Sequence, residues 1–102
     1  MHLVQIFLPK PISENTASID EHAKVREILI CEFDGLTEYD KAPASGYWKK
    51  DSATKVMRDQ MIIYEVQCEE VDSIWWHDFR LKLEEDFHQE EVLIRSQLIQ
   101  IL

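Results

Sequence analysis

The sequence predicts an α+β fold: one four-stranded antiparallel sheet with two helices on one of its faces. Three observations carry this. Residues 2–8 and 60–68 alternate with a period of two, as strands do. Two intervening segments repeat apolar residues at helical spacing. A chain of 102 residues leaves room for one hydrophobic core, so residues 1–102 form a single domain with one layer of helices on one sheet.

The elements follow in order. In residues 2–8, Val4, Ile6 and Leu8 alternate with Leu3, Gln5 and Phe7, and both sets are largely apolar, so this strand is covered on both sides, with Pro9 and Pro11 closing it. After a loop at 12–17, Ser18 and Glu21 fit a capping box. Val25, Ile28, Leu29 and Phe33 then mark the inner face of a helix, with His22, Lys24, Arg26, Glu27 and Glu32 on its other faces. Gly35 is placed to end that helix in the left-handed conformation. The stretch DGLTEYDKAPASGYW at 34–48 reads as a helix stop, an edge strand at 36–40, a turn around Pro43 and Gly46, and an aromatic flap over the edge. Residues 49–59 are expected to be a polar connection.

The clearest strand is 60–68, with Ile62, Tyr64, Val66 and Cys68 opposite Met61, Ile63, Glu65 and Gln67. Asp72 is suited to cap a second helix, whose stripe runs Val71, Trp75, Phe79, Leu83, Phe87. Residues 91–101 read as a last strand. The order βαββαβ, with right-handed crossovers, gives the ferredoxin-like arrangement and the strand order 4-1-3-2.

Composition narrows the function classes. The net charge of −9 opposes binding to nucleic acid, which draws on basic surface. The charge is uneven: residues 41–58 carry +4, leaving −13 elsewhere, which reads as a solvated basic connection or an anion site. No apolar run reaches the ~20 residues of a membrane span, and no basic region precedes the first apolar stretch as in a secretory signal; a cytoplasmic protein without membrane contact is expected. Cys31 and Cys68 are too few and too far apart for a disulfide framework or a thiolate metal site. No nucleotide loop, dinucleotide motif or hydrolytic triad is present. No cofactor and no metal are expected.

Two helices shield only one face of four strands. The other carries Leu3, Phe7, Met61, Ile63, Leu93 and Ile99, too much apolar surface to leave in water. A second copy packed sheet to sheet would cover it, so a homodimer is expected. The same face places Glu65, Gln5 and Arg95 in neighbouring rows of adjacent strands, close enough for Glu65 and Arg95 to meet over Gln5. That polar row reads as an ion pair fixing the register of the dimer, or as the floor of a small-molecule pocket. Tyr39, Tyr47 and Trp48 are further candidate ligand-binding residues on the edge. Neighbouring helical residues diverge by about 100°, so Trp75 and Trp76 point apart, leaving Trp76 with His77 beside it as candidates on the second helix. Glu84 and His88, four apart, make a weak metal-ligand pair.

The segments FDGLTEYDKAPASGYW at 33–48, RDQMIIYEV at 58–66, IWWHDFRLKLE at 74–84 and EEVLIR at 90–95 resemble an uncharacterised family of small bacterial proteins within the dimeric α/β-barrel superfamily. That family's pattern carries glycine where this chain has Asp34. The resemblance implies the ferredoxin-like fold and the dimer, with no assigned activity. The wider superfamily includes monooxygenases acting on aromatic or haem-type substrates. The expected function is therefore a non-catalytic homodimeric domain that binds a ligand or partner; the alternative is a cofactor-independent monooxygenase or related small-molecule enzyme.

Overall fold

A computed structural model of the chain describes residues 1–11, 16–49 and 56–102. Six elements follow in order: β1 (His2–Pro9), α1 (Thr16–Phe33), β2 (Thr37–Lys49), β3 (Val56–Cys68), α2 (Ser73–Asp86) and β4 (Ile94–Leu98). The strands form one sheet in the order β2-β3-β1-β4 with every pairing antiparallel, the ferredoxin-like topology.

The core lies between this sheet and the two helices. Alternate residues Val4, Ile6 and Leu8 of β1 and Ile62, Tyr64 and Val66 of β3 are buried with Val25 and Leu29 of α1 and with Trp76, Phe79 and Leu83 of α2. The intervening residues of β1 and β3 face the side that carries no helix. Leu3, Phe7, Met61 and Ile63 are only half-buried there, and Leu93 is 51% exposed. No helix among the described residues is long and apolar enough to cross a membrane.

Several boundaries differ from the sequence expectation. Helix α1 begins at Thr16, so Ser18 and Glu21 lie inside it; residues 12–15 lie outside the described residues. The helix ends on Asp34, which takes φ 62° while its N–H donates to the Ile30 carbonyl (2.9 Å); Gly35 has no positive φ. The short Asp side chain tolerates the left-handed region better than most, so the stop comes one residue before the glycine.

The segment 37–49 is one strand instead of an edge strand followed by a flap. Its partner β3 begins at Val56, which shortens the expected polar connection; residues 50–55 lie outside the described residues. Thr37 to Tyr39 pair with Glu65 to Ile63, and Ala44 to Lys49 pair with Met61 to Val56. Residues 40–43 thus stand against Ile62 alone. Pro43, which has no N–H for a ladder, falls in this irregularity.

Helix α2 buries Trp76, Phe79 and Leu83 together with Phe87 beyond its end, and not the expected stripe through Val71 and Trp75. Steps of four residues drift by about 40° around a helix, so Trp75 turns partly away from the sheet and is only half-buried against the core, while Val71 precedes the Asp72 cap and lies outside the helix. Strand β4 covers 94–98 only. Its register runs from Ile94 opposite Ile6 to Leu98 opposite His2, and backbone bonds reach one residue further at each end (Phe7 N–H to the Leu93 carbonyl, 3.0 Å; Ile99 N–H to the Met1 carbonyl, 2.9 Å). The Val92 N–H donates instead to Glu84 Oε2 (2.8 Å).

Candidate functional site

The helix-free face carries a connected polar row. Antiparallel register puts Thr37 opposite Glu65, Glu65 opposite Gln5 and Gln5 opposite Arg95. The Gln5 amide bridges its neighbours: Nε2 donates to Glu65 Oε1 (2.6 Å), and Oε1 accepts from Arg95 Nε (2.9 Å). The charges fix the amide's orientation, because only its N–H end suits a carboxylate and only its oxygen suits a guanidinium. Glu65 and Arg95 therefore communicate through Gln5 without touching. The Tyr39 hydroxyl donates to Glu65 Oε2 (3.2 Å), and this bond to a carboxylate holds the Tyr39 phenol above its usual pKa of 10. The Arg95 guanidinium lies over the Phe7 ring, 4.8 Å from its centroid.

Four of the expected residues, Gln5, Tyr39, Glu65 and Arg95, are thus brought together. Trp76 and His77 are elsewhere, on the opposite side of the sheet. Trp76 is 7% exposed and stacks on Phe33 (5.2 Å between centroids, 15° between planes), so it is a core residue and not the free ring of the tryptophan pair. Trp75 is half-buried, edge-on to Phe33 and stacked on Phe79. The outer side of Trp76, with His77, borders a cleft of about 260 Å³ between α2 and β4. Tyr47 sits in the outer part of β2, opposite Arg58 and 64% exposed, remote from the polar row in register. The Trp48 side chain lies outside the described residues. Glu84 and His88 do not form the helical pair expected of them: His88 is beyond the end of α2 at φ 53°, and Glu84 is engaged by the Val92 N–H.

Sequence reasoning missed a buried polar pair. His22, expected on an outer face of α1, is 2% exposed. Its Nε2 lies 2.9 Å from the Pro9 carbonyl oxygen and its Nδ1 lies 2.6 Å from the Tyr64 hydroxyl. A carbonyl only accepts, so Nε2 carries the proton and the Tyr64 hydroxyl donates to Nδ1 of a neutral ring. Burial lowers the His22 pKa from 6.5, outweighing the bond to Pro9. Burial, and then the Glu38 carboxylate opposite it in β2, push the Tyr64 phenol well above its usual range. Glu38 in turn accepts from Arg26 Nη1 (3.2 Å), and Phe87 meets the His22 ring edge-on at 4.9 Å. The missed signal was the spacing 22, 25, 29, which puts His22 in line with Val25 and Leu29.

Comparison with known proteins places the fold and leaves the site open. No family model matches the chain, and no curated protein matches it. Among solved structures, a phage SAM lyase in complex with S-methyl-5′-thioadenosine is similar with a TM-score of 0.61 at 14% identity, over 94% of this chain and 79% of that one. The same lyase in its apo state gives 0.56 at 14% identity over 94% and 78%. A variant of CutA1 from Pyrococcus horikoshii OT3 gives 0.52 at 15% identity, covering this chain fully and 86% of the other. At such identities the likeness is one of fold.

Proposed function

We propose that the chain is the subunit of a homodimer closed through the helix-free face of its sheet, acting as a binding domain for a ligand or partner and not as a catalyst. The observation that carries this reading is the state of that face in the single chain. Leu3, Phe7, Met61 and Ile63 are half-covered and Leu93 is open, all around a hydrogen-bonded Glu65–Gln5–Arg95 row. Burying this surface against its own copy removes apolar area from water at roughly 25 cal/mol per Å². The bridged row then supplies directional contacts that fix how the two sheets align, the best-attested use of buried polar groups. This matches the dimer implied by the resemblance to the α/β-barrel superfamily.

Native mass spectrometry at micromolar concentration tests the proposal. A mass of two subunits is expected, with dissociation promoted in Glu65→Gln, where the charge-assisted bonds at Glu65 weaken. A single-subunit mass for the unaltered chain would refute it.

A second reading, a small-molecule enzyme such as a cofactor-independent monooxygenase, draws support from the cleft beside Trp76 and His77. The lyase of similar fold, bound to S-methyl-5′-thioadenosine, shows that this architecture is compatible with an enzyme. The cleft contains neither Glu65 nor a tyrosine, which favours the binding role.

A further inference from the structure

We infer that the cleft between α2 and β4 is a binding site for a small organic oxyanion, a carboxylate or phosphate monoester carried on a flat apolar body. Ser73, His77 and Arg80 recur at i, i+4 and i+7, so they share one face of α2, and all three line the cleft. Facing them from the sheet are Ser96 and Ile94, with Val4 opposite Ser96 in the ladder. The side chains available to a ligand are thus two hydroxyls, an imidazole and a guanidinium above an apolar floor of Val4, Ile94 and the exposed margin of Trp76. Arg95 also borders the cleft, but its guanidinium is held by Gln5 on the helix-free face.

Charge selects the class of ligand. Twenty acidic residues give the chain its net charge of −9, yet no Asp or Glu lines this cleft. The nearest carboxylates in sequence point elsewhere: Asp72 caps the helix at the N–H groups of Ile74 and Trp75, and Asp78 is exposed about 100° around α2 from His77.

Arg80 is the second, independent observation. Arg26 has Glu38 and Arg95 has Gln5, but Arg80 makes no hydrogen bond or ion pair among the described residues, and its Nε is buried without a partner. A desolvated guanidinium N–H left unsatisfied is costly, and guanidinium matches the two oxygens of a carboxylate or phosphate in a forked geometry. Pairing of that edge with an anion in the cleft requires the end of the side chain to rotate toward it. The volume of about 260 Å³ lies below the ~300–1,000 Å³ of sites for drug-sized ligands, which sets the ligand as a small one. The site lies on the helix side, so it is open in a monomer and in a dimer closed through the other face; its test is independent of oligomeric state.

The experiment is an NMR titration of the full chain with phenyl phosphate, benzoate and inorganic phosphate, following the Trp76 indole N–H, the Arg80 Nε–H and the amides of Ser73, His77 and Ser96. Saturable shifts at these groups with phenyl phosphate or benzoate are expected, and the tighter of the two identifies the phosphate monoester or the carboxylate. Arg80→Gln weakens binding by about tenfold or more. His77→Gln, at an exposed position that the fold does not need, weakens it too and carries the test should Arg80→Gln fail to fold. Lys24→Gln, on exposed α1 surface, leaves binding unchanged. Unmoved cleft resonances, equal binding in all three variants, or inorganic phosphate binding as tightly as phenyl phosphate would overturn the assignment.

Discussion

At the scale of single residues the His22–Tyr64 pair sets the sharpest expectations. Tyr64→Phe leaves the buried Nδ1 of His22 without its donor and is expected to destabilise the fold by about 1–3 kcal/mol, read as a lower urea midpoint at unchanged m-value. The pair also gives stability a dependence on pH. Burial lowers the folded pKa of His22 below 6.5, so the unfolded chain takes up the proton first as pH falls. His22 therefore contributes its full stability above about pH 6.5, and that contribution is lost as the pH drops through the lowered folded value. His22→Gln is expected to flatten this part of the stability profile; an unchanged slope would contradict a neutral buried imidazole. Asp34→Gly, relieving a side chain at φ 62°, is expected to raise the thermal midpoint by an amount equivalent to about 0.5–1 kcal/mol. The polar row of Glu65, Gln5 and Arg95 was legible in the sequence because strand alternation and strand order determine which side chains are neighbours. The His22 pair was not, because a single polar residue in an apolar stripe reads equally well as an outer-face residue until its partner strand is known.

Individual elements were legible to the extent that one period dominates them. Strand β3 and the inner face of α1 follow their alternation closely, apart from His22. Helix α2 was recognised by its Asp72 cap, whose Oδ1 accepts from the N–H groups of Ile74 and Trp75 at 3.1 Å. Asp72→Ala is expected to cost about 0.5–2 kcal/mol in thermal or chemical unfolding, with little change in the native circular dichroism spectrum. Of the expected stripe of α2, Phe79, Leu83 and Phe87 are buried; its first turn was misassigned because Trp75 and Trp76 are equally apolar, and only the position of the sheet decides between them. The ends of β2 and β3 were misjudged for another reason. Lysine, serine and aspartate are ordinary turn residues, while the pairing of Lys49 with Val56 depends on the partner strand and not on local propensity.

For the whole molecule, strand order and the single layer of helices followed from the succession of elements. What the single chain leaves unsatisfied is its second sheet face. Ile63, half-buried between Tyr39 and Phe7 in the ladder, lies in the middle of that face. Ile63→Lys is expected to keep the fold and abolish the dimer, seen as a halved mass by light scattering with an unchanged far-ultraviolet spectrum. A dimer that survives this substitution does not use this face.

The outermost strand, β2, carries four residues against one opposite Tyr39–Ala44, with a proline among them. A foreign strand approaching that rim would meet backbone donors and acceptors in phase for a few residues, then out of step, with one donor missing. Growth of an extended intermolecular sheet from this side is thereby hindered where the register breaks.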